Sequence, residues 1–229
     1  LIAHRIRSYP ACWHDRGGFA RVVWMRIVLI VCAAFFLAQC ASGGDDRFRV
    51  SHSPDALVIV GIAETSDNRD PRYSLLWRKL DEAGAFADYD DARSINARPH
   101  SDTSLRLRGI PGEFDFHRVP PGTYALDSAY ATLQENGVTY TAQGLVQGPD
   151  RPSFEVRAGE AIYIGIWEMD IDGAEAVTRL WRLSDDDLVA IERAAGRRLV
   201  GAPQLRAVEV RQVPCRPRRM AAVGARQVC

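Results

Sequence analysis

Apolar residues are distributed in three ways along this chain. From Ile27 to Leu37 they run uninterrupted for 11 residues. From Ala56 to Val213 they come in short bursts, largely alternating with polar positions and punctuated by Gly, Pro, Asn and Asp. Over 1–24 and 214–229 they show no period. Alternation puts every second side chain on one face of a strand, so the middle region predicts β-structure. Ala56-Leu57-Val58-Ile59-Val60-Gly61-Ile62-Ala63 is too short and too branched for a helix and predicts a buried first strand. Tyr73–Leu80 predicts a second, and Leu105 and Leu107, alternating with Arg106 and Arg108, a short one with a wet face. Phe114–Val119 alternates in the same way, which points His117 to the wet face. Pro120-Pro121-Gly122 then predicts a tight turn, because Pro presets φ and Gly supplies a positive φ. Thr123–Tyr130 returns as a strand. Val138–Val146, Phe154–Arg157, Ala161–Trp167, Ala176–Leu183 and Leu205–Val213 follow, with turns at Glu135–Gly137, Ala158–Glu160 and Asp170–Gly173. Phe86–Thr103 is polar and unpatterned, and reads as a long loop. One helix stands out. Ser184 is a good N-cap, Asp185, Asp186 and Asp187 suit a helix start, Leu188, Ile191 and Ala195 share a face, and Gly196 stops it. Arg193, Arg197 and Arg198 lie toward its C-terminal end. The expected fold is mainly β, an antiparallel β-sandwich with one short C-terminal helix.

The run Ile27–Leu37 is about half of the roughly 20 residues that a spanning helix needs. Arg26 before it and small residues after it fit a secretory signal. Leu37-Ala38-Gln39-Cys40 resembles the lipobox of bacterial lipoproteins, although Gln39 departs from the usual Gly or Ala. The resemblance implies cleavage after Gln39, a diacylglycerol on the Cys40 thiol and acylation (palmitate) of the new N-terminus. It also implies a lipid-bilayer partner through Cys40. With Ala41 rather than Asp following, it implies the outer membrane, facing the periplasm. Several acyl chains hold firmly, since each buried CH₂ contributes about 0.8 kcal/mol. Met25 is the first Met, and the expectation is that translation starts there and that 1–24 is a non-native extension. The expected segments are a signal peptide (25–39), a flexible Gly-Gly-containing tether (40–54), a sandwich (55–183), a helix plus final strand (184–213) and a disordered basic tail (214–229).

Charge is zero overall but unevenly spread. Residues 40–210 carry 19 basic and 28 acidic side chains, whereas 211–229 carry five Arg and no acid. An acidic body excludes nucleic acid as the expected partner. After the proposed cleavage and acylation, Cys215 and Cys229 remain, an even pair in an oxidising compartment. They can close a short disulfide loop or stay unpaired in a floppy tail.

FDFHRVPPGTYAL (114–126) resembles the strand–turn–strand hairpin of transthyretin-like and carboxypeptidase-regulatory-like sandwiches. VRAGEAIYIGIWEMDIDG (156–173) is similar to a strand found with it in small proteobacterial lipoproteins of unknown function. These motifs are structural and imply no catalytic residues. Glu168, Asp170, Asp172 and Gly173 imitate the start of a calcium loop, but position 12 is Arg179 where a closing carboxylate is required. Asp185–Asp187 is explained by helix capping. No metal or cofactor is expected. His52, His100 and His117 remain after processing, and His100 with Asp102 and Ser101 or Ser104 could form a hydrolytic set, although adjacency in sequence is not triad geometry. Tyr73, Trp77, Tyr124, Tyr130, Tyr163 and Trp167 form either a binding platform or, the favoured reading, core. The expected function is a non-catalytic binding or structural module of the cell envelope, with an envelope protein as partner and 86–103 as its surface. The alternatives are a periplasmic hydrolase or processing factor using the His100 loop, and an accessory subunit of a secretion or surface-polysaccharide system.

Overall fold

The computed structural model describes residues 47–65, 70–102, 104–196, 198–219 and 226–229. The expected extension, signal peptide and Cys40 lie outside them. In chain order the strands are β1 (Phe48–Arg49), β2 (Ala56–Glu64), β3 (Arg72–Lys79), β4 (Ser94–Ala97), β5 (Leu105–Arg106), β6 (Glu113–Val119), β7 (Gly122–Glu135) and β8 (Val138–Leu145). They continue with β9 (Asp150–Val156), β10 (Ala161–Asp172), β11 (Glu175–Arg182), β12 (Leu199–Val200), β13 (Gln204–Leu205), β14 (Glu209–Gln212), β15 (Arg218–Arg219) and β16 (Gln227–Val228). Helix α1 is Asp185–Ala195, and Ser184 caps it by accepting from the Asp186 N–H.

The fold is a mainly β sandwich. Sheet 1 runs β11-β10-β2-β6-β5 with β13 beside β10, and sheet 2 runs β14-β9-β7-β3-β4 with β8 beside β7. Most pairs are antiparallel, but β2 lies parallel to β10, as do β13 to β10 and β1 to β12. Alternating side chains of both sheets fill the space between them. Val58, Val60 and Ile62 of sheet 1 meet Leu75, Trp77 and Phe154 of sheet 2. The Trp77 ring packs edge-on against Trp167 at 5.0 Å and tilted on Phe154 at 5.3 Å. Sheet 1 is covered on its outer face too: Ile59, Phe114, Tyr163 and Ile166 lie under Ile191 of α1.

Two β-bulges set what each sheet presents. In β10 the register slips between Tyr163 and Ile166, where Gly165 has φ +94°. As a result Tyr163 and Ile166 both face outward, while Ile164 and Trp167 face the core. In β7 the pairing jumps from Ser128 to Leu126, which leaves Asp127 as the extra residue. Leu126 and Ala129 face the core, so Asp127 and Ser128 fall together on the outer face of sheet 2.

Several expectations are corrected. The last part of the tether is not free, because Phe48 is buried and β1 pairs with β12. The stretch Phe86–Thr103 is no long loop: Phe86 bridges to Leu80, Asp91–Arg93 forms a 3₁₀ turn and Ser94–Ala97 is an edge strand. Thr103 lies outside the described residues. The single strand Leu205–Val213 divides, β13 joining sheet 1 and β14 joining sheet 2. The tail is not disordered where it is described: Val228 is wholly buried, β15 pairs with β16, and Cys215 is bonded to Cys229.

Candidate functional site

Strand β6 was expected to bury its phenylalanines and show its polar residues to water. Cross-strand partners share a face, and the register pairs Ile62 with Glu113, Val60 with Asp115 and Val58 with His117. Val58, Val60 and Ile62 belong to the inter-sheet core, so the polar side of β6 is turned inward. Phe114 points to the opposite face, beneath α1. The expectation that His117 occupies the wet face is therefore corrected. Its side chain is only 19 % exposed.

This inward polar row sits where the chain crosses from β4 in sheet 2 to β5 in sheet 1. Residues 98–102 and Ser104 lie on that crossing, and two buried carboxylates hold it. Asp115 accepts from the Arg98 N–H at 3.2 Å and from the Ser101 hydroxyl at 3.3 Å. Glu113 accepts from the His100 N–H and from the Ser104 hydroxyl, both at 2.7 Å. A crossing segment has no ladder to satisfy its donors, and buried carboxylates supply strong acceptors in its place. His100 takes φ +56° at the apex.

The His100 ring bridges two acids. Its Nδ1 lies 2.9 Å from Glu113 Oε1 and its Nε2 lies 3.7 Å from Glu64 Oε2. Burial raises the Glu64 carboxyl, which the charge of His100 opposes and that of Glu113 reinforces. Burial also pushes Glu113 upward, but the hydrogen bonds from Ser104 and the His100 N–H, with the charge of His100, bring it below the usual carboxylate value. His117 Nε2 lies 3.1 Å from Asp115 Oδ2, a close contact without hydrogen-bond alignment.

The structure thus brings His100, Ser101, Ser104 and His117 together, while Asp102 stays exposed outside the cluster. Glu64, Glu113 and Asp115 take the acidic role. Sequence spacing could not pick them out, because Glu64 and Glu113 meet only through the pairing of β2 with β6. Both serines donate to carboxylates, and Glu113 stands between the hydroxyl of Ser104 and the ring of His100. A Ser–His–acid relay requires the histidine in the middle.

The other candidates separate. Glu168 faces Arg179 across the β10–β11 hairpin and forms an ion pair with it, and Asp170 accepts from the Thr65 hydroxyl at 2.8 Å. Among the described residues no group of three His, Cys, Asp or Glu is arranged to hold a metal ion. Asp185 and Asp186 lie in the first turn of α1, but Asp187 does more than favour a helix start. It is fully buried, receives Arg182 Nε at 2.8 Å and the Tyr163 hydroxyl at 3.4 Å, and fastens the helix to sheet 1. Of the aromatic set, Tyr73, Trp77, Tyr124, Tyr163 and Trp167 are core, and Tyr130 is half-buried under Arg226. Among the described residues the exposed aromatics are Tyr140 and Trp181, which alternation alone did not single out. His52 is exposed, its Nδ1 3.0 Å from Val50 O. Among the described residues no helix is long and apolar enough to cross a membrane. Comparison with protein families, with curated proteins and with solved structures finds no match.

Proposed function

We propose that this chain is a lipid-anchored lipoprotein of the cell envelope, held in the outer membrane facing the periplasm and acting as a non-catalytic binding or structural module. The observation that carries the non-catalytic reading is the placement of the serine hydroxyls. Ser101 donates to Asp115 and Ser104 to Glu113, where they fasten the crossing segment. The anchor rests on the lipobox-like LAQC ending at Cys40. The bonded pair Cys215–Cys229 supports an exported, oxidising setting.

One observation favours a second reading, a periplasmic hydrolase. Glu64 and Glu113 flank His100 and are shifted in opposite directions, the arrangement by which enzymes divide acid and base roles. Growth with an alkyne-bearing palmitate, followed by in-cell cross-linking, tests both readings. Wild type is expected to take the label and Cys40→Ser to lose it; an unlabelled wild type sinks the anchor. His100→Ala is expected to fold and to keep its cross-linked envelope partner. A folded His100→Ala that loses the chain's cellular phenotype while keeping that partner would favour the hydrolase.

A further inference from the structure

The outer face of sheet 2 is closed at its centre. Asp127, Arg78, Arg151 and Arg226 are all buried there, and Arg78 Nη1 bonds Asp127 Oδ2 at 2.8 Å. The two edges of the sheet differ. β4, at one end of the strand order, is half to wholly buried. β14, at the other end, is exposed along all four residues, Glu209–Gln212.

The hydrogen bonds of β14 show which of its backbone groups are idle. It pairs with β9 as Glu209↔Ser153 and Arg211↔Arg151. The Val213 N–H donates to the Pro149 carbonyl at 2.8 Å, and the Ser153 hydroxyl donates to the Glu209 carbonyl at 3.1 Å. Backbone groups of successive residues point to opposite edges of a strand. Glu209, Arg211 and Val213 therefore turn theirs toward β9. Val210 and Gln212 turn theirs away, where no strand of the described residues meets them. Such an edge is a template for a further strand. The side chains are idle too. Val210 is the most exposed large apolar residue among those described, at 74 %. Glu209 and Arg211 share the opposite face of the strand, and neither makes an ion pair among the described residues.

We propose that β14 pairs antiparallel with β14 of a second copy of this chain, about a two-fold axis at Val210. In this register Val210 lies opposite its own copy and exchanges both backbone hydrogen bonds with it, and Gln212 lies opposite Val208. The two most exposed apolar side chains then cover each other. Glu209 lies opposite Arg211 on both sides of the axis, in pairs of the close, non-hydrogen-bonded kind. Other symmetric registers fail. An axis at Glu209 or at Arg211 sets like charges face to face. An axis at Gln212 brings Pro214, which has no N–H, opposite Val210. The strand is thus complementary to itself in a single register, and the two second sheets become one. The pairing belongs to the described domain and does not depend on the envelope reading.

The test is sedimentation equilibrium of the purified whole chain from about 10 µM to about 1 mM. A monomer–dimer equilibrium is expected, with amide hydrogen exchange at Val210 and Gln212 slowing as the dimer fills. Val210→Pro removes the central donor but spares the ladder to β9, because that N–H faces away from it; it is expected to stay monomeric. Glu209→Arg and Arg211→Glu each set like charges opposite one another and are each expected to weaken self-association at least about tenfold. Mixed together, these two variants again pair unlike charges, and a heterodimer of near wild-type affinity is expected. If Val210→Pro does not fold, the mixture decides. A monomer throughout the range, a dimer that the folded variants leave intact, or charge variants that do not pair on mixing overturn the proposal.

Discussion

Gly144 shows how one side chain decides whether the two sheets can meet. It lies in β8 of sheet 2, and a Cβ built on it would stand 1.6 Å from the carbonyl oxygen of Ala176 in β11 of sheet 1. The obstacle is backbone, which cannot rotate away. Gly144→Ala is expected to destabilise the domain by about 3 kcal/mol, as overpacking does, measured by denaturant unfolding. A loss below about 0.5 kcal/mol, the ordinary range for surface changes, would mean that β8 and β11 do not touch there. Alternation in sequence marks Gly144 only as a weak strand residue. Asp127 is equally inconspicuous in GTYALDSAYATLQE, and only the bulge turns it into the partner of Arg78.

At the scale of elements, the segment around β16 gains its place from tertiary contacts. It is two residues long, too short to hold itself. Its neighbour Cys229 is tied to Cys215 across a sequence separation of 14. Gln227 gives its N–H to Gln143 at 2.8 Å, and Arg226 is sunk against Tyr130. On the chain-entropy account a loop of this size contributes about 3 kcal/mol. The double variant Cys215→Ser, Cys229→Ser is expected to lose about that much in denaturant unfolding and to be cut faster by trypsin after Arg226. Unchanged stability and cleavage would show that the polar contacts alone hold the segment. The helix, by contrast, was legible from local chemistry: Ser184, the acidic first turn, the apolar face and Gly196 all fall at its observed limits.

For the whole molecule, the crossing at His100 makes stability depend on pH in two opposed ways. Glu113 holds its proton less tightly when folded. Its contribution is present above the unfolded carboxyl value, near 4.5, and fades as pH falls through the lower folded one. Glu64 holds its proton more tightly when folded, so its contribution is full below 4.5 and fades as pH rises through the raised value. Unfolding midpoints in urea from about pH 3 to 7 should therefore show Glu113→Gln flattening the acid limb and Glu64→Gln the upper one; two variants with wild-type slopes would contradict this account of the crossing. The sequence by itself determined that the chain is a sandwich of short strands, where most of those strands lie and where the helix begins and ends. Those features follow from side-chain periodicity and caps, which act within a few residues. Only the tertiary structure decided the parallel pairing of β2 with β10, the bulges, the inward turn of Asp115 and His117, and the company of Arg78, Arg151 and Arg226. Alternation tells which residues share a face but not which face is covered. Here both faces of sheet 1 are covered, so the polar row of β6 lies inside the sandwich edge, where Glu113 and Asp115 accept from the crossing segment and Glu64 is brought up from far along the chain.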